Sequence, residues 1–265
     1  MRLNAAGALR SRPLFQISGY SLILVGLLLM AASGGYLIFA QRSKAGLEDD
    51  NVSVPLQQPQ LPTTFERIDP EKFAAADSSQ ESQGGSRWRI PAQEEYVVVD
   101  WTSLPQSVGV LPQATRLLMP SVGVSAPVVE LGTVWEDGKL VWERPVNAVG
   151  HHQGTPHPGE AGNVVMSGHR SSPIRGEGAV FRRLGEVPDL LRDSASSRAP
   201  VDIFLHTPET IYIYRVVSTR VVKPEQVDVF RQTAEPTLTL ITCTPDLVYS
   251  HRLIVSALLV ATAPA

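Results

Sequence analysis

Only one cysteine, Cys243, occurs in the 265 residues. No intramolecular disulfide can form, so the folded part must hold by its core. The length supplies that core and allows one or two domains. Basic excess is missing too. The formal net charge is −3, which removes the electrostatic footprint of a nucleic-acid binder, so no nucleic-acid partner is expected. No internal repeat is present. Aromatic residues are sparse, and uninterrupted apolar sequence is confined to one place near the N-terminus.

That place is Ile17–Ala40, which has no charged residue. As a helix it is long enough to cross about 30 Å of hydrocarbon. Arg2, Arg10 and Arg12 precede it, and Arg42 and Lys44 follow. The balance of basic residues puts 1–16 in the cytoplasm and the body of the chain outside, with 17–40 as a transmembrane signal anchor in the cell membrane. A cleaved signal peptide, cut near Ala31-Ala32-Ser33, is the competing reading. The run exceeds a usual signal core, which favours the retained anchor. Residues 41–93 are rich in Gln, Ser, Pro and mixed charge, and read as a flexible extracytoplasmic spacer.

From Glu94 to Ala265 the texture is globular and β-rich. Prolines 120 and 127 cut Arg116–Gly132 into short apolar segments. Asp137-Gly138 signals a hairpin. Asn163–Ser167 reads as a buried strand ending at Gly168-His169. Gly178–Leu191 reads as a short helix, with Val180, Phe181 and Leu184 on one face. Pro200–Leu205 and Ile211–Val222 read as further strands. About eight strands with few helical patterns predict a mainly β fold, a closed or nearly closed barrel with short helices.

The last two strands hold the chemistry. In Thr237–Cys243, Leu238, Leu240 and Thr242 share one face, and Thr239, Ile241 and Cys243 share the other. Thr244, Pro245 and Asp246 end the strand, and a second begins at Arg252. Paired as a hairpin, they bring Cys243 and Arg252 to one rim. A cation there favours the thiolate and can stabilise an oxyanion. Spacing alone leaves open a buried, inert thiol. A thiol nucleophile wants an imidazole, and six histidines are available. His169 ends a strand beside Gly168, as Cys243 ends its own. His151, His152 and His157 share a Gly/Pro loop, but no carboxylate or cysteine completes a ligand spacing, so no metal is expected. His206 reads as structural. His251 borders the rim.

These residues carry a resemblance. Thr239–Cys243 (TLITC) matches the TLxTC signature of sortases, the membrane-anchored cysteine transpeptidases. Pro120–Glu130 (PSVGVSAPVVE), Pro158–Arg170 (PGEAGNVVMSGHR) and Ser250–Val255 (SHRLIV) also resemble sortase segments, in the family's order, across most of Arg116–Val260. The segments around His169 and Cys243 look nearest to the classes labelled D and E. The resemblance implies an eight-stranded sortase barrel, no cofactor, and three catalytic residues. Cys243 would attack the Thr–Gly amide of an LPxTG-like sorting signal, His169 would protonate the leaving amine, and Arg252 would hold substrate and oxyanion. Thr242 and His251 would touch substrate. The implied partners are surface proteins with C-terminal sorting signals, and an amine acceptor, either a peptidoglycan precursor or a pilin lysine. Leu61-Pro62-Thr63-Thr64-Phe65 looks like a sorting motif but lacks the glycine and the hydrophobic tail, and is read as chance. A cysteine protease using water, and a tethered β-domain without catalysis, are the alternatives.

Overall fold

The computed structural model describes residues 19–54, 88–172, 174–197 and 200–265. The Leu61–Phe65 motif, the N-terminal residues expected in the cytoplasm and the middle of the expected spacer lie outside them. The chain divides into two units, Met1–Lys44 and Ala45–Ala265, described separately.

In the first unit the apolar run is helical. Helix α1 (Gly19–Ala45) has 27 residues. At 1.5 Å per residue that is about 40 Å, enough to span a membrane with some tilt. Its leucines, isoleucines and valines are exposed all round, unlike an amphipathic helix seated on a core.

The second unit is built on strands β1 (Val52–Ser53), β2 (Val97–Val98), β3 (Arg116–Met119), β4 (Val124–Leu131), β5 (Thr133–Glu136), β6 (Lys139–Trp142), β7 (Val149–His152) and β8 (Asn163–Ser167). After helix α2 (Val187–Ser197) come β9 (Asp202–His206), β10 (Thr210–Val222), β11 (Thr237–Thr244) and β12 (His251–Pro264). Eight of them close a ring in the order β10-β9-β3-β4-β7-β8-β11-β12 and back to β10. The expected eight-stranded barrel is therefore present, with β1 and β2 added at its margins. β5 and β6 form a separate hairpin. Its Asp137-Gly138 turn has positive φ at both residues, 50° and 73°, as a two-residue hairpin of this hand demands.

Alternation fills the barrel. Leu238 and Leu240 of β11, Leu253, Val255, Ala257 and Leu259 of β12, and Val164 and Met166 of β8 all point inward. Each large side chain buried this way contributes about 1.5–3 kcal/mol. Ile241, one residue out of phase, packs outside with Val222, Val229 and Ile254. Cys243 shares that outer face.

The helix starts later than its pattern suggested. Arg182–Glu186 form a 3-10 turn, and α2 then runs on to Ser197. Gly178 has φ +80°, outside the helical region, and Pro188 sits in the first turn, where its missing N–H is harmless. The ends of the stretch read as a spacer pack on the barrel. Val52 and Ser53 pair with Thr219 and Ser218, and Asn51 Oδ1 accepts the Val221 N–H at 2.8 Å. At the other end, Trp88 meets His206 edge-on at 5.3 Å.

Two buried carboxylates show what holds the barrel walls. Asp202 faces Arg215 across β9 and β10, in a paired fork of 2.9 and 3.0 Å. Burial pushes its carboxyl up, and the guanidinium opposes this. Arg215→Ala is expected to destabilise the domain by about 3–5 kcal/mol, because it strands a buried charge. Replacing both residues with apolar ones of similar volume is expected to cost far less. Urea unfolding of the single and double variants separates the two cases.

Glu160, fully buried, accepts backbone N–H groups from Gly109, Val110, Leu111 and His157 at 2.6–2.9 Å. It ties the segment before β3 to the β7–β8 loop. Burial raises its carboxyl, but the four donors outweigh this and hold it below the usual 4.5. The stabilisation is present above the unfolded value and is lost as pH falls through the folded one. Glu160→Gln is expected to cost about 3 kcal/mol at neutral pH. The difference in melting temperature from the parent should shrink towards pH 3.

Candidate active site

Strand register assembles the site. Cys243 and Arg252 are direct cross-strand partners in the β11–β12 hairpin, as are Thr244 and His251. On the other side of β11, β8 runs parallel, with Ile241 opposite Ser167. The pairing continues one step beyond the strand. Gly168 donates its N–H to Ile241 O at 3.1 Å, and Thr242 Oγ1 donates to Gly168 O at 2.9 Å. His169 is the next residue of this chain after Gly168, and Cys243 the next of β11 after Thr242. Strand β11, which carries the thiol, thus lies between β12, which carries Arg252, and β8, whose chain continues to His169.

Gly168 is required by close approach. A Cβ there would fall 2.7 Å from the Phe181 ring and 2.9 Å from Val180. Phe181 N–H in turn donates to His169 O at 2.9 Å, fixing the backbone at the histidine. Thr242, buried, uses its hydroxyl to join β11 to β8. His251 is half-buried, its Nδ1 2.9 Å from Ser250 Oγ.

Arg252 Nη1 donates to His251 O at 3.0 Å and Tyr249 O at 3.2 Å. Among the described residues both of its hydrogen bonds use Nη1, so Nη2 and Nε remain as donors for an incoming oxygen. The loop after His169 is tied to the loop after Cys243. Arg170 Nη1 donates to Thr244 Oγ1 at 2.9 Å, and Ser171 Oγ bonds both Asp246 and the Tyr249 hydroxyl. These bonds hold the rims on which the thiol and imidazole stand.

One neighbour of His169 escaped the sequence reading. Glu177 Oε2 lies 3.6 Å from His169 Nε2, both side chains mostly buried, and it accepts the Ser172 hydroxyl. The separation exceeds a hydrogen bond, and the imidazole nitrogen has no partner among the described residues. The available signal was a carboxylate between two glycines, eight residues after the histidine. Both Gly176 and Gly178 have positive φ, 98° and 80°.

The other histidines lie elsewhere. His151 Nε2 is 3.0 Å from Pro156 O and from Thr155 Oγ1, and His157 Nδ1 is 2.6 Å from Leu111 O. His152, pushed down to about 4 by burial, sits 2.9 Å from Ser167 Oγ under Trp142. His206, also pushed down to about 4 by burial, packs against Trp88. Among the described residues no group of three His, Cys, Asp or Glu is arranged to hold a metal ion.

A half-buried thiol with a guanidinium directly opposite it on a rigid sheet is an arrangement suited to acyl transfer. The match to a family model agrees with the architecture. Residues 117–260 match the Sortase domain model, and the chain belongs to the sortase family. Sortase D of Bacillus subtilis (strain 168) is 31% identical over 137 residues, covering 50% of this chain and 56% of the relative. The chain thus spans about half the length of that curated relative. Among solved structures, the Clostridium perfringens Sortase D5 transpeptidase is 28% identical, covering 56% of this chain and 78% of its own, with a TM-score of 0.41. The SrtA sortase from Actinomyces oris is 27% identical, covering 63% and 90%, with a TM-score of 0.45.

Proposed function

We propose that this chain is a membrane-anchored cysteine transpeptidase. It cleaves an LPxTG-like sorting signal through a thioacyl-enzyme and passes the protein to an amine on the cell surface, for wall anchoring or pilin assembly. The observation that supports the reading is the register: Cys243 opposite Arg252, with the parallel strand β8 alongside ending two residues before His169.

In this mechanism the Cys243 thiolate attacks the scissile carbonyl carbon, and Arg252 stabilises the oxygen as it gains charge. The C–N bond breaks as the His169 imidazolium gives its proton to the leaving amine. A neutral acceptor amine then attacks the thioester and passes a proton to His169. Cys243 leaves as thiolate, so the charge pair is restored. The basic residues before α1 set the N-terminus in the cytoplasm and the barrel outside.

The test uses the full-length chain in detergent micelles, with a library of LPxTG-like peptides and a triglycine acceptor, read by mass spectrometry. An amine-joined product is expected, and it names the preferred motif. Hydrolysis with every amine supplied would make the chain a protease. No product, with a thiol that also resists alkylation, would end the catalytic reading.

A further inference from the structure

Beside the site lies a cleft of about 700 Å³, formed by the end of β4, the β5–β6 hairpin and the segment after β6. Its lining includes Glu177, the carboxylate 3.6 Å from His169. Its lining is unusual in charge. Glu130, Glu136, Glu143 and Glu177 stand against one guanidinium, Arg144, which is already paired with Glu136 at 2.7 Å. Two indoles complete it. Trp135 is 77% exposed. Trp142 is held in place, edge-on to His152 at 4.6 Å and stacked on Phe230 at 5.8 Å.

We propose that this cleft docks the acceptor, as a peptide bearing a primary ammonium, and leads that nitrogen to the thioester beside His169. The inference rests on the transpeptidase reading and names where its second substrate binds. Carboxylates with an aromatic face suit an ammonium, which gains from both charge and ring quadrupole. An uncharged sorting motif gains nothing from such a lining, so the cleft fits the acceptor and not the donor. The buried imidazole beneath Trp142, held neutral by burial, adds no opposing charge. The cleft binds the ammonium form. The docked ammonium loses one proton to solvent, and the free amine attacks. The chemistry is shared by a lysine side chain and a peptide N-terminus.

The experiment measures acceptor kinetics of the full-length chain in micelles, with a cleaved donor peptide held constant. One arm uses triglycine amide and the other Nα-acetyl-lysine amide, so the two sources of ammonium are separated. Variants are Trp135→Ala and the double change Glu130→Gln/Glu136→Gln, with melting temperature checked for each. The acceptor KM is expected to rise about tenfold in both variants, with kcat at saturating amine within about threefold of the parent. In the parent, KM should also rise with salt, and less so in the double variant. Acceptor KM values within about twofold of the parent in both arms would overturn the proposal. So would loss of Cys243 thioacylation in the absence of amine, which would make the cleft a donor site or a structural element. A parent chain that forms the thioacyl adduct but joins neither amine overturns the transpeptidase reading itself, a different result from an unchanged KM.

Discussion

Cys243→Ala is expected to abolish the thioacyl adduct and amide exchange, with activity falling by more than about 10³-fold. The fold is expected to survive. Cys243 is half-buried and lies on the outer face of β11, while Leu238 and Leu240 of the same strand hold the core. The change removes one sulfur and leaves every ladder bond in place. The melting temperature should stay within a few degrees of the parent, since about 1 kcal/mol shifts a domain of this size by only about 2–4 °C. Cys243→Ser is expected to be inactive as well, because a hydroxyl is a far weaker nucleophile at neutral pH. Intact-mass measurement after incubation with donor peptide reads the adduct directly. Peptide cleavage at the parent's rate in the alanine variant would sink the mechanism.

The second large effect is at Arg252. Arg252→Ala should slow thioacylation by about 10²–10³-fold, the usual loss when one oxyanion donor is removed. The guanidinium is fixed through Nη1 to two carbonyls, so its remaining donors hold their direction without reorganising. Arg252→Lys keeps the charge but loses the planar fork, and should recover only part of the rate. Single-turnover kinetics with excess enzyme reads the step. Near-parental thioacylation in Arg252→Ala would assign the residue to the strand end alone. Arg215→Ala supplies the contrast. It damages stability through a buried pair far along β10, and residual folded protein should retain its rate per active thiol.

The barrel was legible in this sequence because strand period is a local property. Leu238, Leu240, Leu253 and Val255 alternate with residues of the opposite face, and the alternation by itself tells inside from outside. The hairpin at Asp137-Gly138 was legible for a similar reason, since few residues accept positive φ twice in succession. The apolar length of α1 needs no partner to be recognised. The sequence links Cys243 to Arg252 because a hairpin sets the residues that flank its loop opposite each other.

The helix limits were less legible. Val180, Phe181 and Leu184 form a helical pattern, yet the backbone there is set by Gly178 and by the contact of Phe181 with Gly168. The packing of 49–54 and 88–93 also left no mark in composition. Val52 and Ser53 dock through backbone pairing with a strand edge, and backbone bonds are blind to side-chain type.

The resemblance to sortase motifs singled out His169 among six histidines; spacing and composition could not. The spatial reason emerged from the parallel pairing of β8 with β11, a contact between segments more than 70 residues apart. The same contact made Thr242 a joint and left Cys243 on the open side. Glu177 reached His169 through a loop folded on two left-handed glycines, and the acidic cleft arose where a separate hairpin met that loop. Periodicity and composition act over neighbouring residues, so they announce strands, turns and a spanning helix. The grouping of thiol, imidazole, guanidinium and carboxylate depends on which strands become neighbours, and barrel closure sets that.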